Sequence, residues 1–378
     1  MDVFNDTHRQ IRDTVERFIA QHVTPHIQDW EEAGQFPRDL YLQAGRDGIL
    51  GIGHPEALGG TFEGDVLAKV AATEGLMSST SGGLVAGLGS LDIALPPVIR
   101  WARPEVRDKV VPAVLAGEKI AALAITEPGG GSDVANLKTR AVREGDHYVV
   151  NGSKTFITSG QRADYYTVAV RTGGDGFGGI SLLLIERDTP GFTRGQPLKK
   201  MGWWCSDTAE LFFDNVRVPT EHLIGAENAG FPLIMANFVS ERLALAVMAY
   251  RTAELALDLA LDWARQREAF GRPLAKFQVQ RHRLAEMATR VTAARTFTLQ
   301  VAATVAAGKQ PIREVCMAKN FATDVAQWVV NEAVQIFGGM GYMRDSTIER
   351  LYRDVRILPI GGGTTEIMRE VIAKQMGL

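Results

Sequence analysis

Cysteine is scarce in this sequence. Its 378 residues include only Cys205 and Cys316, far apart and outside any CxxC or other metal-ligand spacing. That excludes a disulfide framework and fits a reducing, cytoplasmic setting. The seven histidines are scattered along the chain, and no metal site is expected. An excess of one charge is missing too. The formal net charge is -3 and the basic residues are dispersed, so no nucleic-acid surface is announced. No window reaches about 18 uninterrupted apolar residues, so no membrane span is expected. Met1 to Gln10 is polar and charged and lacks the basic start and apolar core of a signal peptide. Internal repeats and low-complexity tails are absent as well.

What is present is enough chain for two or three domains with sizeable cores. A hydrophobic content of 46% and a charged content of 22% are ordinary for a globular protein. The first part reads as helices. Ile11, Val15, Phe18 and Ile19 share one helical face, Arg38 to Asp47 and Asp65 to Gly75 follow, then a small-residue segment from Met77 to Val98, and Glu105 to Leu115 closes the series. The pattern then changes to short β-rich runs: Ile120 to Ile125, Tyr148 to Gly152, Tyr165 to Val170, Ile180 to Ile185, Phe192 to Pro197 and Leu211 to Val218. Gly and Asp clusters separate them as turn signals. Helix then returns, over Phe231 to Gln266, Lys276 to Ala307, Pro311 to Phe337, Thr347 to Arg356 and Glu366 to Lys374. Strands grouped between helices argue for segregated units, not a parallel α/β sheet. The expectation is a multidomain α+β protein: a helical domain over 1–119, a β-barrel or sandwich over 120–226, and a C-terminal domain of four-helix-bundle type over 227–378.

The helix predicted from Phe231 to Gln266 contains an anomaly. Ile234, Phe238, Glu241, Leu245 and Met248 lie on one face, and the middle member is a carboxylate. A carboxylate in apolar surroundings holds its proton more readily, which is how a general base is made. The competing reading is a surface salt bridge from Glu241 to Arg242 or Arg251.

Four glycine-bearing segments carry further signals. Ala124 to Asp133 places three glycines after a strand, where backbone approaches a ligand closely and consecutive N–H groups hold an anion. It has neither the Rossmann spacing nor the P-loop Gly-Lys-Ser/Thr, and a plain hairpin turn fits it equally. Asn151 to Gly160 opens on the turn signal Asn-Gly. In period 2, Phe156 and Thr158 then share a face, either lining a planar cofactor or simply forming a strand surface. Gln335 to Tyr342 ends a helix in glycines, as a cap or as room for a pyrophosphate. Leu358 to Ile367 runs three glycines into a helix whose cap is Thr364 or Thr365, with free N–H groups suited to an oxyanion.

In this order and at these distances, the segments resemble the acyl-CoA dehydrogenase family over essentially the whole chain. The resemblance implies an FAD-dependent enzyme, usually a homotetramer (or homodimer). Such enzymes oxidise a saturated acyl-CoA to the trans-2-enoyl-CoA and pass electrons to electron-transfer flavoprotein. Ile125, Thr126, Gly131 and Ser132 match the segment that contacts flavin and the pantetheine side of CoA. Phe156, Ile157 and Thr158 match the segment against the flavin ring. Arg267, Phe270 and Gln278 match residues that reach the FAD of a neighbouring subunit, as do Gln335, Gly338 and Gly339. Thr364 and Glu366 match the FAD-contacting segment before the last helix, and Arg242 matches an arginine close to the CoA site.

The informative departure from the family pattern concerns the base. Many members carry a Glu two residues before the Thr of the last motif, and here that position is Gly362. Glu241 stands where the isovaleryl-CoA and long-chain branches keep theirs. By this resemblance Glu241 abstracts the α-proton, and the Gly362 backbone N–H hydrogen-bonds the thioester oxygen. A second departure is Phe156, where many members have Trp. Gly82, Gly83, Gly87 and Gly89 are small residues in the expected pocket helices, which suggests a deep cavity for medium or long-chain or branched acyl groups. Competing readings are an acyl-CoA oxidase, which usually carries a further C-terminal domain, a flavin monooxygenase of the same fold, which loses the carboxylate, and a non-catalytic acyl-CoA-binding protein.

Overall fold

A computed structural model describes residues 3–378. Seven helices come first: α1 (Asp6–His22), α2 (Ile27–Ala33), α3 (Asp39–Arg46), α4 (Val66–Leu76), α5 (Gly82–Leu88), α6 (Leu91–Trp101) and α7 (Pro104–Leu115). Asn5 starts α1 with a capping box, accepting from the His8 N–H while the His8 ring takes the Asn5 N–H. Ile11, Val15, Phe18 and Ile19 are all buried, as their spacing predicts. His22 and His26 stand four apart, but α1 ends at His22 and His26 only begins α2, so one helical face does not carry both.

Eight strands form one sheet: β1 (Ala121–Ala124), β2 (Arg140–Glu144), β3 (His147–Thr158), β4 (Tyr165–Arg171), β5 (Ile180–Glu186), β6 (Phe192–Arg194), β7 (Thr208–Pro219) and β8 (Leu223–Ile224). Their order is β6-β7-β3-β2-β4-β5-β8, with β1 parallel to β4. Every residue of β4 is buried. Such a strand is covered on both faces and loses the alternating pattern. One cover is α6, where the Ala94 carbonyl accepts from Thr167 Oγ1 at 2.9 Å.

The sheet corrects one turn. β2 and β3 pair as a hairpin that reverses at Gly145, where φ is +65°. Asn151-Gly152 is therefore no turn. It lies inside β3, at a register shift against β7. Gly152 has φ +143°, and a Cβ there would stand 2.7 Å from the Thr139 Cα. The glycine serves a close approach of backbones. β2 itself is missed by hydropathy because four of its five residues are exposed.

The long α8 (Gly230–Gln266) begins the last part, followed by the small hairpin β9 (Glu268–Ala269) and β10 (Arg272–Pro273), then α9 (Gln278–Ala306), α10 (Ile312–Phe337), α11 (Thr347–Val355) and α12 (Thr365–Gln375). α8 packs chiefly on α10 and α9. By length and composition, α8 and the stretch Gly82–Trp101 are apolar enough to cross a membrane. Here 44% and 67% of their most apolar windows are buried inside the fold, so much of that apolar character faces the core. A buried polar node locks the first helices to the last ones. The Glu74 carboxylate on α4 accepts from Tyr250 OH of α8 at 2.7 Å and from Arg295 of α9 at 3.3 Å.

Candidate active site

Glu241 sits on α8 and faces the loop between α11 and α12. Gly362 and Gly363 in that loop have φ +64° and +96°, a backbone conformation that L side chains rarely adopt. A Cβ on Gly362 would lie 3.4 Å from Glu241 Oε1 and 2.6 Å from Leu245 Cδ1. The loop backbone thus lies directly against the carboxylate, and a side chain at 362 would compete for its space.

Side chains on two helices hold the loop there. Arg242 Nε donates to the Gly362 carbonyl at 3.2 Å, and Lys319 Nζ of α10 donates to the Gly363 carbonyl at 2.5 Å. Asn320 Nδ2 reaches the Thr365 carbonyl at 3.2 Å. Thr364 caps α12 by accepting from the Ile367 N–H at 3.3 Å. The N–H groups of Gly362 and Gly363 donate to no acceptor among the described residues. Two carbonyls are fixed and two N–H groups are free beside a carboxylate.

The carboxylate itself is unusual. Part of the Glu241 side chain is accessible, but its Oε2 is enclosed and has no hydrogen-bond partner among the described residues. Burial raises its pKa, and the charges of Arg242 and Lys319 pull it down without overcoming the burial. The salt-bridge alternative does not hold. Arg242 is committed to a carbonyl, and Arg251 pairs with Glu254 at 3.0 Å.

A second set gathers at the end of β1. Lys154 of β3 is fully buried. It donates to the Ile125 carbonyl at 3.0 Å and to Glu127 Oε1 at 2.8 Å. The Thr126 carbonyl accepts from the Thr155 N–H at 2.8 Å. These bonds draw Ile125 and Thr126 against β3, while Gly131 and Ser132 remain exposed with open space beside Gly129 and Gly130. On β3 the left-handed Phe156 (φ +58°) is 68% exposed, Ile157 is buried, and Thr158 is half-buried. An aromatic held out in that conformation beside an open glycine cradle fits a large planar, anionic group such as FAD.

A third set lies elsewhere. Arg267 is 26 residues beyond Glu241, which along a helix is roughly 39 Å. Phe270 (φ +51°) is 96% exposed at the tip of the β9–β10 hairpin, and Gln278 is exposed at the start of α9. Gln335, Gly338 and Gly339 are exposed at the far end of α10. Stacking of Trp263 on Phe337, with centroids 4.7 Å apart, ties the two helix ends together. Glu366 is exposed on the first turn of α12. The chain therefore does not bring Arg267, Phe270, Gln278, Gln335, Gly338 and Gly339 to Glu241, whereas Glu366 follows directly on the loop that faces it.

Three domain models describe the whole arrangement. Residues 5–118 match the acyl-CoA dehydrogenase N-terminal domain, 122–216 the middle domain and 228–377 the C-terminal domain. The chain belongs to the acyl-CoA dehydrogenase family. It is 38% identical over 377 residues to the mitochondrial long-chain specific acyl-CoA dehydrogenase of Mus musculus, covering 99% of this chain and 87% of that one. The crystal structure of a probable acyl CoA dehydrogenase from Mycobacterium abscessus superposes with TM-score 0.97 at 54% identity, covering 99% of each chain. That of an acyl-CoA dehydrogenase complexed with FAD from Bacillus anthracis gives 0.92 at 30% identity, covering 99% of this chain and 67% of the other. The protein is accordingly an oxidoreductase acting on acyl-CoA.

Two features of this acyl-CoA dehydrogenase escape the sequence reading. Lys319 is one. Val315, Cys316, Lys319, Ala322 and Ala326 share a buried face of α10, so the spacing that singles out Glu241 also marks a charge in an apolar stripe here. The other is Asp354 of α11. Its carboxylate accepts from the N–H of Trp203 at 2.6 Å and of Gly82 at 3.0 Å, joining the helical units to the sheet's connecting loop. That junction overturns the cavity expectation. A Cβ on Gly82 would stand 2.2 Å from Trp203 Nε1, and one on Gly83 would stand 2.9 Å from the Trp203 backbone. A Cβ on Gly87 would stand 2.7 Å from the Phe36 ring, and one on Gly89 would meet the Val85 carbonyl at 2.8 Å. The space above Gly82, Gly83 and Gly87 holds the protein's own aromatics, so these glycines say nothing about the length of an acyl tail.

Proposed function

We propose that this chain is an FAD-dependent dehydrogenase of medium- or long-chain or branched acyl-CoA thioesters, with Glu241 as the base. One observation carries the reading: a carboxylate with an enclosed oxygen that takes no hydrogen bond among the described residues, facing the free N–H groups of a loop whose carbonyls are pinned. The thioester oxygen accepts from the Gly362 N–H, which acidifies the α-carbon. Removing one such donor typically costs about 2.7–4 kcal/mol of transition-state stabilisation. Glu241, lacking a competing donor on Oε2, takes the α-proton. Bound FAD supplies the acceptor for the hydride that leaves the β-carbon.

The remaining residues hold cofactor and substrate. The cradle at Ile125, Thr126, Gly131 and Ser132, the exposed Phe156 with Ile157 and Thr158, and the segment from Thr364 to Glu366 contact FAD. Ser132 and Arg242 serve the CoA side. The placement of Arg267, Phe270, Gln278, Gln335, Gly338 and Gly339, exposed at or just beyond the ends of α8 and α10 and at the start of α9, supports their reaching the FAD of a neighbouring subunit, in a homotetramer or homodimer. The mouse relative's name supports a long-chain substrate, and electron-transfer flavoprotein is the proposed acceptor.

The test is anaerobic mixing of the purified holoenzyme with a series from butyryl- to palmitoyl-CoA and with branched acyl-CoAs. Bleaching of the flavin absorbance with formation of the 2-enoyl-CoA is the expected result, and the fastest substrate sets the class. Reoxidation by electron-transfer flavoprotein and not by oxygen separates a dehydrogenase from an oxidase. Flavin that no acyl-CoA bleaches would overturn the proposal.

A further inference from the structure

Lys319 has no part in the reading above beyond pinning a carbonyl, yet its placement is costly. It is an ammonium with no accessible surface, buried on a face of α10 with Val315, Cys316, Ala322 and Ala326. An isolated buried charge is expensive, and a lysine kept this way needs compensation. Among the described residues its side chain's one hydrogen bond goes to the Gly363 carbonyl, a neutral acceptor. The nearby opposite charge is Glu241, with which it interacts electrostatically without a hydrogen bond. Arg242 is arranged alike. Nε donates to the Gly362 carbonyl and one terminal nitrogen to Cys316 Sγ at 3.8 Å, and its guanidinium lies 5.3 Å from the Phe238 ring centroid.

Resting on the reading of Glu241 as the base, we propose that Lys319 is a positioning residue that sets the charge of Glu241 through space while its own donor is spent on the glycine loop. The two roles are linked by geometry. A cation hydrogen-bonded to the carboxylate would occupy the lone pair that must receive the substrate proton and would lower its basicity directly. A cation tied to the adjoining carbonyl lends its field and leaves that lone pair open. The same bond keeps the Gly363 peptide turned so that its carbonyl points to α10, which holds the loop in register against Glu241. The groups facing Glu241 are Arg242 and the uncharged Leu245 from its own helix, Lys319 from α10, and the uncharged Gly362 backbone from the loop. Cys316 is the remaining titratable neighbour of Lys319. Its thiol is pushed up by burial, so it stays neutral. Lys319 is pushed down to about 8 by burial, with the Glu241 charge opposing.

The experiment compares the holoenzyme with Lys319→Arg, Lys319→Gln and Lys319→Met. It follows anaerobic flavin bleaching against pH and, on the same proteins without substrate, the protonated-carboxyl infrared band assigned by its loss in Glu241→Gln. Lys319→Gln keeps a donor for the Gly363 carbonyl and removes the charge. In it, both the acid limb of the rate and the infrared titration move up by about one pH unit or more. Lys319→Met moves them similarly and also lowers the rate at the plateau, because the loop bond is gone. Lys319→Arg restores the wild-type titration. A purely structural lysine would instead lower rate and melting temperature in Gln and Met variants with the Glu241 titration unmoved, and that result overturns the proposal. If Glu241→Gln itself bleaches at the wild-type rate, the assignment of the base fails, whatever the Lys319 variants do.

Discussion

Glu127 is buried and Glu241 is half-buried with one oxygen enclosed, and each has a fully buried lysine as neighbour. Each lysine, Lys154 and Lys319, is pushed down to about 8 by burial. Yet the two acids behave oppositely. Burial pushes Glu127 up, but the Lys154 charge and its hydrogen bond, with donors from Thr139 and Lys138, outweigh that and hold it low. Glu127 Oε1 takes Lys154 at 2.8 Å and the Thr139 N–H at 2.8 Å, and Oε2 takes the Lys138 N–H at 2.6 Å. Glu241 has comparable charge nearby and an oxygen with no donor among the described residues. Charge alone does not decide what a buried carboxylate does. Where the neighbouring donors point decides it: at the acid, they make a structural peg, and past it, they leave a base.

Replacing each acid sharpens the contrast. Glu241→Gln removes the proton acceptor, and the bleaching rate should fall by about 10²–10⁴-fold. Its thermal midpoint should fall less than that of Glu127→Gln, since no hydrogen bond is lost with the carboxylate. Glu127→Gln leaves Lys154 buried without its counter-charge. Breaking a buried pair this way costs roughly 3–5 kcal/mol, read as a lowered urea midpoint, while the enzyme that still holds flavin keeps bleaching. The double replacement Glu127→Gln with Lys154→Met should recover part of that loss; an undiminished deficit would contradict the pairing. A smaller effect is expected at the loop. Gly362→Ala forces a side chain into the left-handed region, costing roughly 1–2 kcal/mol. Its methyl also crowds Leu245 and Glu241, so turnover should drop more than stability does.

The pH responses should separate as well. Glu127 is held below its unfolded pKa, so its contribution to stability is present above the unfolded value and is lost as pH falls through the folded one. Glu241 is held above its unfolded pKa, so the fold favours its protonated form. Its effect on stability has the opposite sign: stability falls as pH rises from the ordinary carboxylate range through the raised value. Activity follows ionised Glu241 and is lost on acidification at a pH above that ordinary range. Stability curves of the two Gln variants, each subtracted from wild type, check both signs.

Much of this site is legible in the chain itself. The stripe at 234, 238, 241, 245 and 248 exposes Glu241 because helical period and residue type conflict at one position. The glycine run at 361–363 signals a backbone that needs positive φ. Partners that come from distant segments are harder to read. That Lys319 points at Gly363, and Lys154 at Glu127, depends on packing that no local period encodes. The Asn-Gly pair inside β3 misleads for the same reason: the glycine there answers to Thr139 on a neighbouring segment. Gly82, Gly83 and Gly87 mislead likewise, because a small residue in a helix makes room without saying for what. In these positions Trp203 and Phe36 take it.

The most direct test follows the α-proton. The holoenzyme and Glu241→Gln are incubated anaerobically with the best acyl-CoA in deuterium oxide, and deuterium at the α-carbon is measured by mass spectrometry. If Glu241 carries the proton, wild type incorporates deuterium and the variant, folded and flavin-loaded, does not. Incorporation by Glu241→Gln at the wild-type rate would place the base on another group and contradict the account.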